Sequence, residues 1–421
     1  MLFLGASVSQ VEAIRRARDL GHRVVAIDAD PDAVGFADAD VAETIDFSNV
    51  EDVIAVARRH RVDAVLAVST DRAVPIAAAV AQQLGLPGVD PTTAHAMTDK
   101  YAMRERLAAA GVIQPRHTRL AGVEDAAEAF GVIGNPAVLK PTDSGGQRGV
   151  FLVESVEDLR RHLPETLAYS RGHEAILEQY LPGSELNGIV VVTDGEAHVI
   201  TLSDRLRPPG RGFGVGWIHL FPSALDAVTL ERAAEAAAAA VVALGLREGI
   251  GFPQLIVTPS EIHVVEVAAR IPAGQMADLV RIGVGVDLFE IALRQALGEP
   301  LNADLWRQKF RQPLAIRFFT ASPGVLPVGR IKTISGLDRV RDAAGVVKAE
   351  LYMRPGETIN PVQVDADRRG YVVAIADEPQ TALGLADNAA LALQVEVEVE
   401  VEQTDADGAS DHPQQPAPSA G

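Results

Sequence analysis

The sequence predicts a mixed α/β and α+β protein built from several packed units. Its first 95 residues alternate short apolar strand patterns with amphipathic helix patterns, which is typical of a doubly wound parallel sheet. The rest of the chain is rich in strand patterns separated by glycine and proline turns, which indicates α+β units. A chain of 421 residues is also too long for one hydrophobic core and suggests two to four units.

The alternating strand and helix patterns of the first 95 residues predict three strands and three helices. Val11, Ile14, Ala17 and Leu20 recur at helical spacing, and Gly21 is a good helix stop. The predicted strands are Leu2–Leu4, Arg23–Asp28 and Ala64–Val68, and the predicted helices are Val11–Leu20, Glu51–His60 and Ala73–Leu84. Strands that alternate with such helices favour a parallel order in the sheet.

The remaining chain has more strands than helices. The predicted helices are Lys100–Ala110, Glu157–Leu167, Thr229–Leu244 and Asp287–Leu297. The predicted strands are Pro136–Lys140, Val150–Val153, Ala175–Glu178, Gly188–Thr193, Ala197–Leu202, Gln254–Thr258 and His263–Val267. After Leu393 a Val–Glu alternation is compatible with one edge strand, and the polar remainder is predicted to be disordered.

Composition and charge disfavour several classes of protein. The formal net charge is −19, and an acidic body argues against nucleic-acid binding, which needs clustered Lys and Arg. No apolar run is long enough to span a bilayer, and the N-terminus lacks a signal-peptide pattern, so we expect a cytoplasmic protein. Cysteine is absent, which excludes disulfides and thiolate chemistry.

The segment 138–150 carries the first candidate site. An apolar strand ends in Lys140, and a loop with three glycines leads into the next strand. Glycines let backbone N–H groups approach phosphate oxygens, and the lysine supplies a positive charge. A plain hairpin with a glycine-rich turn explains this stretch equally well when it is taken alone. A P-loop is excluded, because the lysine does not follow a glycine.

The second candidate element is a short hinge between two strands. Glu178 ends one strand, and Glu185 opens the next. Backbone groups at such a hinge can bind an adenine edge, and Glu185 can accept hydrogen bonds from ribose hydroxyls. Two surface carboxylates that flank a turn are the alternative interpretation.

The third candidate element is a predicted hairpin with an oxygen donor on each strand. Gln254 and Glu266 lie twelve residues apart, and Mg²⁺ takes one or two protein carboxylates while phosphates and waters complete its shell. Arg270 can bind a phosphate or a carboxylate through two parallel hydrogen bonds. A structural surface pair of Glu266 with Arg270 is the alternative.

In this order and spacing, the three elements together resemble the ATP-grasp superfamily, over roughly residues 1–390. The resemblance implies a Rossmann-like domain before a two-lobed ATP-grasp fold and a C-terminal α+β region. The implied domains are residues 1–95 (Rossmann-like), 96–303 (ATP-grasp, with a lid lobe at about 112–180 and a central lobe at about 181–303), 304–393 (C-terminal α+β) and 394–421 (acidic tail).

The resemblance also implies which residues bind ATP and Mg²⁺, or Mn²⁺ in its place. The implied ATP-binding residues are Lys100, Lys140, Ser144, Gly145, Gly146, Gly149, Glu178, Gln179, Tyr180, Leu181 and Glu185. Glu266 would be the main metal ligand with Gln254 beside it, and Arg270 matches the arginine of a Glu-x-Asn-x-Arg signature. The sequence departs from the family pattern at Gln254, where a carboxylate is usual, and at Ala268, where an asparagine is usual. The carbonyl oxygen of Gln254 can still bind Mg²⁺, but without a charge, whereas Ala268 cannot bind a metal at all.

Within the superfamily, the chain is most similar to carboxylate–amine ligases. Segments 203–207, 216–223 and 270–275 carry this similarity. It implies an amide bond formed between a small acid, such as an amino acid, and an amine through an acyl phosphate, with ADP and phosphate released. A homodimer is common among such proteins. The implied catalytic residues are Lys140, Arg270, His219 and Arg207, although a structural His219 and a solvated Arg207 stay open as alternatives.

Three other functions compete with this hypothesis. A transformylase or carboxylase that uses formate or bicarbonate would share the same nucleotide residues. A non-catalytic nucleotide-binding module would bind ATP without turnover. A dinucleotide-dependent oxidoreductase is disfavoured, because the turn at residues 5–10 lacks Gly-x-Gly-x-x-Gly.

Overall fold

A four-stranded parallel sheet opens the chain in the computed structural model, which describes residues 1–208 and 213–398. Its elements are β1 (Leu2–Leu4), α1 (Val11–Asp19), β2 (Val25–Asp28), β3 (Val41–Thr44), α2 (Val50–His60), β4 (Val65–Ala67) and α3 (Ala73–Leu84). The strand order is β3-β2-β1-β4, and all pairs are parallel, as predicted. The sequence did not indicate β3, because its four residues carry no run of apolar side chains.

Two helices lead from this sheet to a small antiparallel sheet. The elements are α4 (Pro91–Ala96), α5 (Lys100–Ala109), β5 (His117–Leu120), α6 (Ala126–Ile133), β6 (Ala137–Pro141), β7 (Phe151–Val153), α7 (Val156–Tyr169) and β8 (Ala175–Gln179), with strand order β5-β8-β6-β7. Asp90, Asp99 and Ser155 each accept a backbone N–H at the start of a helix. The cap at Asp99 makes Lys100 the first residue of α5.

The central and C-terminal parts of the chain supply the longest strands. The central elements are β9 (Ser184–Thr193), β10 (Glu196–Leu206), β11 (Ile218–Phe221), α8 (Ala227–Ala243), β12 (Gly249–Val257), β13 (Ile262–Ala268), α9 (Met276–Val284), α10 (Leu288–Ala296) and β14 (Leu314–Phe318). The C-terminal elements are β15 (Gly329–Ser335), α11 (Leu337–Arg341), β16 (Val346–Leu351), β17 (Thr358–Ile359), β18 (Gly370–Ile375), α12 (Pro379–Ala390) and β19 (Gln394–Val397). Short 3₁₀ turns lie at Val34–Asp38, Val123–Asp125, Ala303–Leu305 and Asp365–Asp367.

Eight of these strands form one antiparallel sheet, in the order β13-β12-β9-β10-β11-β14-β18-β16. The C-terminal strands β16 and β18 therefore extend the central sheet, and the domain boundaries inferred from the sequence stay a prediction. A three-stranded sheet, β17-β15-β19, completes this end of the molecule. Its edge strand β19 confirms the strand suggested by the Val–Glu alternation, so the chain is ordered to that point. The predicted disorder beyond it falls on residues 399–421, which lie outside the described residues.

Apolar side chains cover both faces of the central sheet. One face packs against α9 and α10 and meets the N-terminal sheet, while the other packs against α8 and α12. Within residues 1–208 and 213–398, no helix is both long and apolar enough to cross a membrane.

A glycine in β12 marks a tightly packed point of this core. A Cβ added at Gly251 would lie 2.8 Å from Cγ2 of Val241 on α8. We expect Gly251→Ala to lower the free energy of unfolding by about 1–3 kcal/mol through overpacking. Gly131→Ala is the control, because an added Cβ there meets no atom within 4 Å. It should raise the helix stability by about 0.5–1 kcal/mol. Urea unfolding of both variants measures this difference, and equal effects would contradict it.

Candidate active site

The small sheet faces one side of the central sheet across a cleft of about 840 Å³, which we call the first cleft. The strand ends of β6 and β8, the glycine loop and one face of β9, β12 and β13 line it. Its polar lining residues are Lys100, Lys140, Ser144, Gln147, Glu178, Gln179, Tyr180, Glu185, Arg205, Arg207, Gln254 and Glu266. The structure thus brings together most residues that the sequence predicted to bind a nucleotide.

Glu178 is a buried carboxylate held between two cations. Its Oε2 accepts a hydrogen bond from Lys140 Nζ at 2.7 Å, and its Oε1 accepts one from Arg104 Nε at 2.9 Å. Burial opposes ionisation of Glu178, but Arg104 and Lys140 outweigh burial and lower its pKa from 4.5 to about 2. The carboxylate is therefore charged at neutral pH, and it fixes the position of the Lys140 ammonium in the lining of the cleft.

Arg104 is a site residue that sequence reasoning missed. It is fully buried, and besides Glu178 it donates hydrogen bonds to the backbone carbonyls of Val264 and Val265 on β13. A signal was present, because Lys100, Met103, Arg104 and Leu107 recur at the spacing of one helix face. An arginine in that buried stripe, one turn after Lys100, indicates a buried ion pair.

The glycine loop that follows Lys140 packs against other parts of the chain. Lys100 Nζ donates to the Ser144 carbonyl at 2.8 Å and lies 3.3 Å from Glu266 Oε1. Gly146 accepts a hydrogen bond from the backbone N–H of Asp365 at 3.2 Å. A Cβ added at Gly145 would lie 2.7 Å from Asp71 Oδ2, so a side chain there would have to displace the Asp71 carboxylate.

Gly149, at the end of the same loop, lies apart from the cleft lining. Its carbonyl accepts a hydrogen bond from Thr166 on α7 at 2.9 Å, and a Cβ added to it would meet Tyr169 at 2.9 Å. These contacts account for the glycine by packing alone.

A row of polar side chains crosses three neighbouring strands of the central sheet. Asn187 on β9 pairs with Gln254 on β12, and Gln254 pairs with Glu266 on β13. Directly paired residues project from the same sheet face, so Gln254 and Glu266 do face one cleft. Gln254 Nε2 donates a hydrogen bond to Asn187 Oδ1 at 3.3 Å. The carbonyl oxygen Oε1 of Gln254 is then free of this contact and can bind a metal ion.

Glu185, the residue predicted to bind ribose, is held by two arginines. Arg205 Nη1 donates to one of its carboxylate oxygens, and Arg207 Nε lies 2.8 Å from the other. The Arg207 guanidinium also stacks 5.0 Å from the ring centroid of Phe213. Arg207 is therefore ion-paired and only partly exposed, and it lines the first cleft together with Glu185.

A second cleft, of about 640 Å³, lies beside the first and shares part of its wall. The shared residues are Gly145, Gly146, Gln147, Arg205, Gln254 and Glu266. The remaining polar lining comes from separate parts of the chain: Asp71, Asn187, His219, Arg270, Asp365 and Arg368. A group bound in one cleft can therefore meet a group bound in the other at the Gln254–Glu266 wall.

Arg270 lines the second cleft but is paired with an aspartate that the sequence did not reveal. Its Nε and Nη2 donate to the two Asp71 oxygens at 2.7 and 2.9 Å. Burial alone would raise the pKa of Asp71, but Arg270 and then Lys100 outweigh burial and lower it. Asp71 follows β4 in the N-terminal sheet, so this ion pair joins that sheet to the end of β13.

His219 on β11 is buried in the wall of the second cleft. Burial, with Arg205 and Arg368 nearby, lowers the pKa of His219 well below its ordinary range, so the ring is neutral at pH 7. The amide nitrogen of Asn187 lies 3.2 Å from His219 Nδ1. Neither Asn187 nor Arg368 was predicted from the sequence. Asn187 had a signal, since it lies two residues after Glu185 on the same strand face.

Three family models match consecutive parts of the chain. The ATP-grasp N-terminal domain matches residues 14–88, the carbamoyl-phosphate synthase L chain ATP binding domain matches residues 99–304, and the L-amino acid ligase C-terminal domain 2 matches residues 317–398.

The chain belongs to the ATP-grasp superfamily.

The C-terminal match puts the chain in the L-amino-acid-ligase branch, as the sequence motifs predicted, and the predicted fold class is confirmed. As a member of this branch, it is an ADP-forming carboxylate–amine ligase. Enzymes of the superfamily use ATP with Mg²⁺.

Several relatives are similar over much of the chain. The uncharacterized protein y4rH of Sinorhizobium fredii is 30% identical over 89% of this chain and 77% of its own length. Alanine–anticapsin ligase of Bacillus subtilis is 28% identical over 58% of this chain and 56% of its own length. The carbamoyl phosphate synthase large chain of Vibrio parahaemolyticus is 25% identical over 78% of this chain, which spans 30% of that relative. The chain thus matches only part of each named enzyme.

The same fold occurs in a solved L-amino acid ligase from Bacillus licheniformis. The two structures superpose with a TM-score of 0.81 at 20% sequence identity, over 94% of this chain and 98% of the ligase.

The low pKa of Glu178 makes the stability of the molecule depend on pH. Its folded pKa of about 2 lies below the ordinary 4.5, so its ion pairs stabilise the fold fully above about pH 5. This contribution is lost as the pH falls from 4.5 towards 2. We expect Glu178→Gln to destabilise the protein by about 3–5 kcal/mol at pH 7, because Arg104 and Lys140 lose their buried partner. The deficit should shrink below pH 4.5.

Urea unfolding of wild type and variant between pH 7 and 2.5 measures this difference. Glu357→Gln, at an exposed position, is the control and should follow the wild-type curve. A deficit that stays constant across the whole pH range would show that ionisation of Glu178 plays no part in the stability.

Proposed function

We propose that this ligase joins the carboxylate of an amino acid or a similar small acid to an amine, with ATP in the first cleft and the acid and amine in the second. The observation that supports this proposal is the shared wall. Lys100, Lys140 and the glycine loop line the first cleft, and Glu266 and Gln254 lie where the two clefts meet. The alanine–anticapsin ligase of Bacillus subtilis is a relative whose name describes such a product.

The first cleft suits a nucleoside triphosphate by charge and shape. Lys140 and Lys100 supply cations for the phosphates, and the amides of Ser144–Gly146 can donate to phosphate oxygens. The hinge from Gln179 to Leu181 offers backbone groups and a tyrosine ring to adenine. Lys140 is bound to Glu178 in the structure, so its ammonium is positioned before ATP enters.

The shared wall also fits a hard divalent cation. Glu266 supplies a partly exposed carboxylate and Gln254 supplies a carbonyl oxygen, which are donors that Mg²⁺ accepts alongside phosphates. Within the described residues, no group of three or more His, Asp or Glu side chains is arranged for a metal. Mg²⁺ held by Glu266 and Gln254 would neutralise phosphate charge when bound, and we propose that it binds with the nucleotide.

The proposed reaction has two steps. A carboxylate oxygen of the acid attacks the γ-phosphorus of ATP, and the bond from that phosphorus to the β,γ-bridging oxygen breaks. The products of this step are an acyl phosphate and ADP, which is the leaving group. The amine nitrogen then attacks the acyl carbon, the carbon–oxygen bond to phosphate breaks, and the amine loses one proton. Lys140 and Lys100 stabilise charge on the transferred phosphoryl group in the first step. The glycine loop, packed on Asp365, excludes water from the acyl phosphate.

A substrate screen tests this function directly. ATP is offered with pairs drawn from amino acids and simple amines, and in parallel with formate or bicarbonate. Phosphate release and product mass are then recorded. An amide product from an amino acid would support the proposal. Turnover with formate or bicarbonate alone would favour a transformylase or carboxylase, and nucleotide binding without any turnover would favour a non-catalytic module. A homodimer stays a prediction, which light scattering of the same sample tests.

The roles of Lys140 and Glu266 can be tested by removing their charges. We expect Lys140→Ala and Glu266→Gln each to lower substrate-dependent ADP release by at least about a hundredfold, because both act on the transferred phosphoryl group. Lys332→Ala, on an exposed part of β15, is the matched control and should keep wild-type turnover. Circular dichroism confirms that each variant is folded. Near-normal turnover in either site variant would contradict the assignment.

The unusual Gln254 permits a test of the metal position. If its carbonyl oxygen is a ligand, Gln254→Glu adds a charge to the same position and should bind Mn²⁺ at least as tightly as wild type does. Mn²⁺ binding is followed by electron paramagnetic resonance in the presence of a non-hydrolysable ATP analogue. Gln82→Glu, on the exposed side of α3, controls for the added charge. A clear loss of Mn²⁺ affinity in Gln254→Glu alone would count against this role.

A further inference from the structure

A third cavity, of about 1530 Å³, lies between the N-terminal sheet and the central sheet. We call it the interface cavity. Its walls are β4 and α3 on one side, β12 and the residues after β13 on another, and α10 with the turn that follows it on the third. It is larger than either cleft, and most of its lining is apolar. The proposed reaction uses no part of this space, so the cavity is open to a separate role.

The charges of the interface cavity differ between its opening and its interior. Asp194, Glu248 and Glu299 line it at exposed positions, so they lie at the opening. Deeper in the cavity the lining is buried and apolar, as at Ile250. Among the described residues that line it, the one cation is Arg270, whose side chain is only 10% exposed. The opening is therefore acidic, the middle apolar and the interior cationic.

Two residues of this lining carry a buried polar atom that has no hydrogen-bond partner among residues 1–208 and 213–398. Arg270 gives its Nε and Nη2 to Asp71, but its Nη1 has no acceptor. Gln295 on α10 gives its Nε2 to the Val192 carbonyl at 2.6 Å and to Glu248 Oε2 at 3.2 Å. These two acceptors fix the orientation of the amide, and its Oε1 is left without a donor. Buried polar groups usually have partners, so both atoms point to a bound group.

These atoms define the chemistry of a fitting ligand. A carboxylate is the strongest acceptor for a guanidinium N–H, which matches Arg270 Nη1. An ammonium donates to an amide oxygen such as Gln295 Oε1, and the acidic opening attracts its charge. The apolar lining between them suits an aliphatic body. The fitting ligand is therefore a small zwitterion with a carboxylate at one end and an ammonium at the other. A nucleotide fits poorly, because its phosphates would meet the acidic opening.

The interface cavity and the second cleft share one residue, Arg270. The two sheets are joined close to it, because the Ser69 N–H donates to the Ile271 carbonyl at 3.0 Å and Val68 pairs with Ile271. Asp71 already holds two nitrogens of the guanidinium. A carboxylate on Nη1 would occupy the third, so Arg270 would no longer be free to bind an anion in the second cleft. A ligand in the interface cavity can therefore act on the reaction without entering either cleft.

We propose that the interface cavity is an inhibitory effector site for a small aliphatic zwitterion, with the carboxylate of the effector on Arg270 Nη1 and its ammonium at Gln295 Oε1. The site is separate from the space proposed for the acid and the amine, and it does not depend on which of these are joined. The inhibition rests on the proposed function, because it requires turnover. Binding of the effector requires none.

Calorimetric titration with ε-aminocaproate tests the binding. Caproate and hexylamine are the matched probes, since each keeps the aliphatic body and lacks one of the two charges. We expect ε-aminocaproate to bind to the wild type at one site per chain. Each matched probe should bind at least about tenfold more weakly, which is the scale of one lost charge-assisted hydrogen bond. With the acid and amine from the substrate screen at saturation, ε-aminocaproate should also lower kcat.

Two variants fill the interface cavity from different walls. Ala296→Phe on α10 and Ala77→Phe on α3 should each abolish both the binding and the inhibition by ε-aminocaproate. Ala239→Phe, at an exposed position of α8, is the matched control and should keep both. ADP binding by each variant reports whether its first cleft is folded. A crystal structure of the wild type with ε-aminocaproate locates the ligand even if a filling variant does not fold.

The outcomes separate this inference from the proposed function. Absence of binding to the wild type, equal affinity for caproate or hexylamine, or unchanged affinity in a folded filling variant would each overturn the site. Binding in the cavity without any fall in kcat would overturn its inhibitory role. A wild type that binds ε-aminocaproate there but turns over no pair of acid and amine would overturn the proposed function and the inhibition, while the binding site would stand.

Discussion

The buried ion pairs of Glu178 are the interaction on which the cleft depends. A carboxylate with almost no exposed surface stays ionised only because cations from two other elements reach it. Arg104 lies on α5 and also donates to the carbonyls of Val264 and Val265, so it connects Glu178 to the central sheet. Lys140 lies at the end of β6 in the small sheet. The small sheet and the central sheet thus share one charge network, and two of its residues, Lys140 and Glu178, line the cleft between them.

Around this network, most charged side chains of the site lie next to a side chain of opposite charge. Arg205 and Arg207 hold Glu185, Arg270 holds Asp71, and Lys100 lies near Glu266. Such pairing keeps side chains in fixed positions before a ligand arrives, which reduces the reorganisation that binding requires. Under the proposed function, a triphosphate would compete with Glu178 for Lys140.

The sequence predicted the elements and the local motifs well, because these depend on nearby residues. The strand that ends in Lys140, the helix Ala73–Leu84 and the pairing of Gln254 with Glu266 follow from apolar periodicity and turn residues. The pairing of Arg270 with Asp71 did not follow, since 199 positions separate the two residues. Only the folded chain shows which charges lie close enough to compensate each other.

The glycine loop has a consequence for how this protein can be recombined with its relatives. Gly145 lies against Asp71 of the N-terminal sheet, and Gly146 is bonded to Asp365 of the C-terminal region. A chimera that exchanges either outer region alone therefore changes a contact surface of the loop, even though every loop residue is kept. A graft should therefore transfer Asp71 and Asp365 together with the loop that contacts them. The three parts of the chain are best exchanged together.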